Sequence, residues 1–377
     1  MHHPLNTTTH NDVIIRPIRV WFNKCFSSVE GVLLQLRADW PEGLYLIGSH
    51  TDMRFTPFAC CDLYEKEPSG ISPEAYVDWC IQFCTKHKVD VFIPGRMRDV
   101  VADHRAAFTR IGTQLIVAAD GDTLRLLEDK GRFLSQVPEG VSVHGFYRVN
   151  TWKEFVIAAQ AIKSSGRNVC FKPAKGTFGI GFYIIDDNLS PQKRLLGGVS
   201  RRISTEELQT ILDNGSAFSE LLVMEYLDGS EFSVDALAHD GEILAMVCRR
   251  KPFHGKLRVQ GTSEMRSIND GYCQILASEP KIEEMMRKLT KHFHLCGIFN
   301  AQFRSPALLP EKPHLLEING RMSGGLPYVG LSGLNLTLWA IRIALRKSDE
   351  PMPEIPIPQL PLKVQERSEI LIHKEKV

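Results

Sequence analysis

At 377 residues the chain is long enough for roughly two to three domains, which excludes a single small stapled module. Hydrophobic residues at 43% and charged residues at 24% exclude wholesale disorder. With 45 Lys plus Arg against 44 Asp plus Glu, the formal charge is +1, so no global field holds the protein on nucleic acid or an anionic membrane, and any bound phosphate must be met by local groups.

The polar N-terminus is followed by an apolar run that Arg16 and Arg19 interrupt, so the chain carries no signal-peptide core and reads as cytoplasmic. Its nine cysteines are scattered without a CxxC pair, and they read as reduced thiols. Across residues 17–119, short apolar runs at 19–22, 44–47, 89–94 and 114–119 predict strands. Amphipathic stretches at 28–39, 72–88 and 99–111 lie between them, which is the signature of a parallel α/β layer. Ser72, Pro73 and Glu74 supply an N-cap, an N1 proline and an acidic first turn. No GxGxxG follows the first strand, where Asn23, Lys24, Cys25 and Phe26 stand instead, so this layer is expected to shape a substrate pocket rather than hold a dinucleotide.

Residues 120–136 read as one helix, broken by Val137, Pro138, Glu139 and Gly140. A small α+β unit follows, with capping-box patterns at Thr151/Glu154 and Ser204/Glu207 and strands at 168–174, 181–185 and 221–227. Residues 231–251 form two strands joined by the hairpin signal Asp240-Gly241. A helix at 279–293 and strands at 297–304 and 314–319 complete the pattern. Residues 322–341 carry no charge, but their Gly, Pro, Ser, Asn and Thr content is unsuited to a membrane helix. The prolines at 351, 353, 356, 358 and 361 make the next segment an extended tail or strap.

Three clusters carry chemistry. Lys172, Lys175, Gly176, Thr177, Phe178, Gly179 and Gly181 lie between two strands, where glycines let backbone N–H groups converge on phosphate and Lys172 adds a point charge. The order strand, glycine loop, strand suits a flexible flap that closes over a nucleotide, and a Gly-rich hairpin serving only as a turn is the equal alternative. Glu225, Tyr226 and Leu227 leave a strand whose backbone can serve an adenine ring, and Glu231 returns with a carboxylate suited to ribose hydroxyls. Glu317 and Asn319 share a strand face by the two-residue period, and Gln302 sits on the adjoining strand. Together they offer oxygen ligands suited to Mg²⁺ held jointly with phosphates. The apolar flanks Leu315, Leu316 and Ile318 imply that this strand is otherwise buried.

In this order and spacing the clusters resemble the ATP-grasp superfamily, in particular carboxylate-amine ligases and the ATP-grasp modules of carbamoyl phosphate synthetases. The motifs are Asp129-Lys130 with Phe133, FKPAKGTFGIG at 171–181, MEYLDGSEFSVD at 224–235, NAQF at 300–303 and LEINGRMSGG at 316–325. The resemblance implies a fold of α/β followed by α+β: a pre-ATP-grasp domain over 1–119, a lid domain over 120–228, a metal-site domain over 229–350, and the Pro-rich tail over 351–377. It further implies that Lys130 and Lys172 contact ATP phosphates under the 176–181 loop and that Glu225, Tyr226 and Leu227 hold adenine. Glu231 would take the ribose, and Gln302, Glu317 and Asn319 the Mg²⁺ or Mn²⁺ ions. Arg321 would face the transferred phosphoryl group, so Arg321, Lys172 and Glu317 form the implied catalytic set. Two positions depart from the pattern: Gly320 stands where Pro is usual, and Gln302 where many members have an acid.

The implied activity is ADP-forming ligation of a small carboxylate to an amine through an acyl phosphate, with no nucleic-acid or membrane partner and with a homodimer compatible with the family. Lys24, Arg54 and the Arg249-Arg250-Lys251 run are open as acid-binding groups, the last equally readable as a solvated strand end. A bicarbonate-using carboxylase and a non-catalytic ATP-sensing module are the alternatives; the absence of a biotinyl-lysine motif or glutaminase module disfavours the first.

Overall fold

The computed structural model describes residues 16–40, 43–175, 181–190, 192, 196, 201–212, 218–251 and 273–365. Strands β1 (Ile18–Phe22), β2 (Leu44–His50), β3 (Leu63–Lys66), β4 (Val91–Ile93) and β5 (Gln114–Leu115) form a parallel sheet in the order β3-β2-β1-β4-β5. Val20, Trp21 and Phe22 are fully buried because both faces of β1 are covered. Helix α1 (Val29–Asp39) packs on one face and α2 (Pro73–His87) on the other; α3 (Arg98–Asp103) and α4 (Arg105–Arg110) follow β4. The Oγ of Ser72 accepts from the Ala75 N–H at 3.2 Å, the N-cap that the sequence specifies. Strand β3 escapes sequence analysis because its Leu-Tyr-Glu-Lys residues are only partly buried at the sheet edge and lack an apolar run.

The 120–136 stretch is two helices rather than one, α5 (Gly121–Glu128) and α6 (Lys130–Leu134). Asp129 leaves the helical conformation and its carboxylate accepts from the Arg132 N–H at 3.1 Å, so it caps a new helix and sets Lys130 at its start. A second sheet has the order β6-β10-β7-β8-β9, built from β6 (Phe146–Val149), β7 (Val169–Pro173), β8 (Tyr183–Ile185), β9 (Arg202–Ile203) and β10 (Leu221–Glu225). Helix α7 (Trp152–Ser164) opens with the expected capping box and buries Phe155, Ala158 and Ile162 against Phe171 and Val223; α8 (Thr205–Leu212) closes the same core.

The third sheet is antiparallel, in the order β15-β14-β11-β12-β13-β16. Its strands are β11 (Glu231–His239), β12 (Glu242–Lys251), β13 (Cys273–Ala277), β14 (Gly297–Arg304), β15 (His314–Asn319) and β16 (Leu362–Gln365). Helix α9 (Pro280–His292) packs Met286 and Leu289 into a core shared with α5 and α6. Helix α10 (Leu326–Gly330) and helix α11 (Leu336–Leu345) share a second core with β1 and α1, which fixes the first sheet against the third. Residues 351–360 have no regular structure, as their prolines require, and the chain then adds β16 as the outer strand beside β13. Among the described residues no helix is long and apolar enough to cross a membrane.

Candidate functional site

A cavity of about 210 Å³ lies between the second and third sheets. Lys172 reaches it from β7, Lys130 from α6, Gln302 and Arg304 from β14, and Glu317 from β15, while Glu225, Tyr226 and Leu227 form one wall. The Lys130 and Lys172 ammonium groups both turn to the same Glu317 oxygen, at 3.7 and 3.8 Å. Burial, and then the Lys130 charge, push the Lys172 pKa down, while Glu317 opposes the shift. These pairs are long, so incoming phosphate oxygens can replace them without breaking a tight bridge. On the wall, the Glu225 N–H donates to the Gly145 carbonyl at 3.1 Å and the Tyr226 N–H to the Asn168 carbonyl at 2.8 Å. Of the three wall residues, that leaves Leu227 with an N–H to offer a planar base.

Gln302 pairs directly with Glu317 across β14 and β15, and Asn300 with Asn319, so the three expected metal-binding side chains stand together as the strand period requires. The Asn319 amide donates to Glu317 Oε1 at 3.2 Å. One carboxylate and two amides are hard oxygen donors, but among the described residues no group of three or more His, Cys, Asp or Glu side chains gathers. The set therefore fits a divalent cation such as Mg²⁺ only when nucleotide phosphates supply further ligands.

A second cavity, of about 390 Å³, shares Lys130 and Glu317 and adds Lys175, Asn319 and Arg321. A third, of about 370 Å³, opens between the ends of β1 and β4 and holds Lys24, Phe26, Arg96, Arg98 and, again, Arg321. Arg321 thus stands where the two meet. Its guanidinium donates to Asn319 Oδ1 at 3.2 Å and lies 4.3 Å from the centre of the Phe26 ring. Burial, followed by the nearby Arg98 charge, pushes its pKa down to about 10, so it stays charged in surroundings that favour an anion. Gly320 packs closely on α5, where a Cβ would force the methyl end of the buried Leu124 side chain to shift.

Other expectations need correction. Arg249 is neither a free substrate group nor a solvated strand end: it is 4% exposed and pairs with the fully buried Asp235 at 2.8 Å. It also donates to Gln274, Ser233 and Ser323, tying β11, β12 and β13 to the turn after Arg321. Arg250 faces Glu279 at 3.7 Å. Lys251 pairs with Glu231 at 2.9 Å and, against the effect of burial, holds that carboxyl below its usual range. Glu231 does not line the 210 Å³ cavity, although it is opposite Arg304, which does. Arg54 is exposed, paired with Asp52, and lines none of these cavities. Gly181 packs beside Pro173, whereas Gly176, Thr177, Phe178 and Gly179 lie outside the described residues, and with them the expected flap.

Sequence analysis missed His144, a lone histidine before β6 without a motif to mark it. It lines the 210 Å³ cavity at 2% exposure, and among the described residues neither ring nitrogen has a partner at good hydrogen-bond geometry. Burial, then the Lys172 and His314 charges, push its pKa from 6.5 to about 3. The folded protein keeps this ring neutral while the unfolded chain protonates it. Its contribution is complete above pH 6.5 and is lost as the pH falls toward 3, by roughly 1 kcal/mol per unit. Thermal unfolding without nucleotide is expected to lose more stability between pH 7 and pH 5 in the parent than in His144→Gln.

A family model described as ATP-grasp in the biosynthetic pathway with Ter operon matches residues 217–370. A comparison with curated proteins finds no match. Among solved structures, an L-amino acid ligase from Bacillus licheniformis is similar at 13% identity and a TM-score of 0.58, covering 88% of this chain and 75% of its own. N5-carboxyaminoimidazole synthetase from Staphylococcus aureus matches at 12% identity and 0.59, covering 91% of this chain and 80% of its own. Biotin carboxylase from Campylobacter jejuni, in a structure with β-γ-ATP, matches at 14% and 0.58, covering 89% and 73%. The fold is ATP-grasp. In ATP-grasp terms, the parallel sheet precedes the two antiparallel-rich sheets as the sequence implies, and the 210 Å³ cavity lies between those two sheets.

Proposed function

We propose that the chain is an ATP-dependent ligase that joins a carboxylic acid to an amine and releases ADP and phosphate. The observation that carries this reading is the position of Arg321, shared by the cavity beside Lys130 and Glu317 and by the separate cavity between β1 and β4. A carboxylate oxygen arriving from the β1–β4 cavity attacks the γ-phosphorus of ATP, and the bond to the β-γ bridging oxygen breaks to release ADP. The amine nitrogen then attacks the acyl carbon, phosphate leaves with the carboxylate oxygen, and the amine loses a proton to solvent. Lys130 and Lys172 hold the phosphates, and Arg321 stabilises charge on the group in transfer. Gln302, Glu317 and Asn319 would hold Mg²⁺, which when bound offsets phosphate charge as a Lewis acid. No side chain needs to act as a nucleophile, so catalysis is chiefly positioning and charge stabilisation.

The bicarbonate-using alternative would need its acceptor to fill the largely apolar cavity of about 370 Å³, since bicarbonate is far smaller, whereas the ligase reading places the acid itself there. An ATP-sensing module would have no use for Arg321 facing a second cavity. The test is whether ADP release depends on both an acid and an amine; pyrophosphate formed in step with product would overturn the reading. Lys172→Ala is expected to weaken ATP binding by roughly ten- to a hundredfold, the worth of one charge-assisted phosphate contact, as measured by calorimetry.

A further inference from the structure

In an open α/β sheet a ligand crevice forms beyond the strand ends where the strand order reverses. Here that point is between β1 and β4: their neighbours diverge to opposite edges, and the 370 Å³ cavity sits on the loops that follow both strands. Its floor is held by hydrogen bonds within the protein. The Asn23 side chain accepts from the Gly95 and Arg96 N–H groups, and the buried Glu67 carboxylate accepts from the Lys24 N–H, from Tyr76 and from Arg96. A Cβ at Gly95 would strike the Lys24 carbonyl, so the two loops approach as closely as glycine permits.

The lining is lopsided in charge. Four of the described lining residues are cationic and none is a carboxylate, while Val29, Val32, Ile93 and Ile116 supply a hydrophobic wall. Arg96 is matched by Glu67 at 3.3 Å and Arg98 by Glu128 at 3.1 Å. Arg321 has no carboxylate within ion-pair distance among the described residues; its guanidinium meets the Asn319 amide oxygen and the Met322 carbonyl. A carboxylate placed there finds its counter-charge next to the phosphoryl centre. An ammonium in the same cavity finds four cations, hydrocarbon and the neutral hydroxyls of Ser28 and Ser323, but no carboxylate among the described lining residues, and desolvating it without a counter-charge is costly.

We infer that this cavity takes a carboxylic acid with a hydrophobic body and no cationic group, its carboxylate toward Arg321 and its body against Val29, Val32, Ile93 and Ile116. The inference rests on the ligase reading for its chemistry and names the class of acid. An α-amino acid is thereby a poorer ligand than the same acid without its amino group.

Calorimetry on the full chain with Mg²⁺ and a non-hydrolysable ATP analogue tests it, using 3-phenylpropionate against phenylalanine and 4-methylpentanoate against leucine. Each amine-free acid is expected to bind at least roughly tenfold tighter than its partner. Ser28→Asp supplies the complementary readout: Ser28 lines the cavity just before α1 and its side chain makes no cap hydrogen bond that the change would remove, while a negative charge at a helix start is favourable, so the variant gains a carboxylate and keeps the helix. It is expected to weaken the amine-free acids and narrow the ratio at least severalfold. Amino acids binding the parent as tightly as the amine-free acids would overturn the inference. So would a ratio unmoved by Ser28→Asp, or no acid binding to a chain that binds the nucleotide. Hydrophobic acids that bind as expected but yield no ADP with any amine would instead overturn the ligase reading and leave the cavity assignment standing.

Discussion

Replacing Glu317 by Gln is expected to leave a folded protein whose turnover at saturating ATP and Mg²⁺ is lower by about a thousandfold. The substitution barely changes volume but removes the one carboxylate among the three oxygen-bearing side chains on the β14–β15 face. It also removes the counter-charge that Lys130 and Lys172 share at 3.7 and 3.8 Å. The two lysines then repel each other at rest, so the variant should lose a few degrees of thermal stability when empty and recover them with nucleotide. Initial rates, together with circular dichroism to verify the fold, check this. Parental rates would place the phosphoryl centre elsewhere.

Arg321→Met is expected to lower kcat by about a hundredfold while leaving the affinity for ATP within a few-fold of the parent. The split follows from position: Arg321 lines the two cavities that flank the transfer point but not the 210 Å³ cavity where Lys172 and the Glu225–Leu227 wall lie. Met keeps the contact with Phe26 and forfeits the charge. Nucleotide affinity measured directly, beside kcat from phosphate release, separates the two effects; a variant impaired only in ATP binding would assign Arg321 to nucleotide holding.

Much of this was legible in the chain. The two-residue period put Glu317 and Asn319 on one face, and β-sheet register brought Gln302 opposite, because these polar residues interrupt strands that are otherwise apolar. Thr151 with Glu154 and Ser72 with Pro73 announce their helices because capping chemistry is local. What escaped is what tertiary contact decides. Nothing near Arg249 in sequence reveals Asp235 and Gln274 closing on it, and the break at Asp129 shows only when its carboxylate is seen capping α6. His144, Arg96 and Arg98 carry no motif; their importance arises from the cavities into which the segments before β6 and after β4 bring them.

The measurement that bears most directly on acyl-phosphate formation follows the oxygen. With a carboxylic acid labelled with ¹⁸O in both carboxylate positions, plus ATP, Mg²⁺ and an amine, the attacking oxygen becomes the bridge of the acyl phosphate and leaves with phosphorus. The expected result is one ¹⁸O in each inorganic phosphate released, with ADP as the nucleotide product and the other label retained in the amide. Unlabelled phosphate, or label recovered in AMP alongside pyrophosphate, would contradict the account.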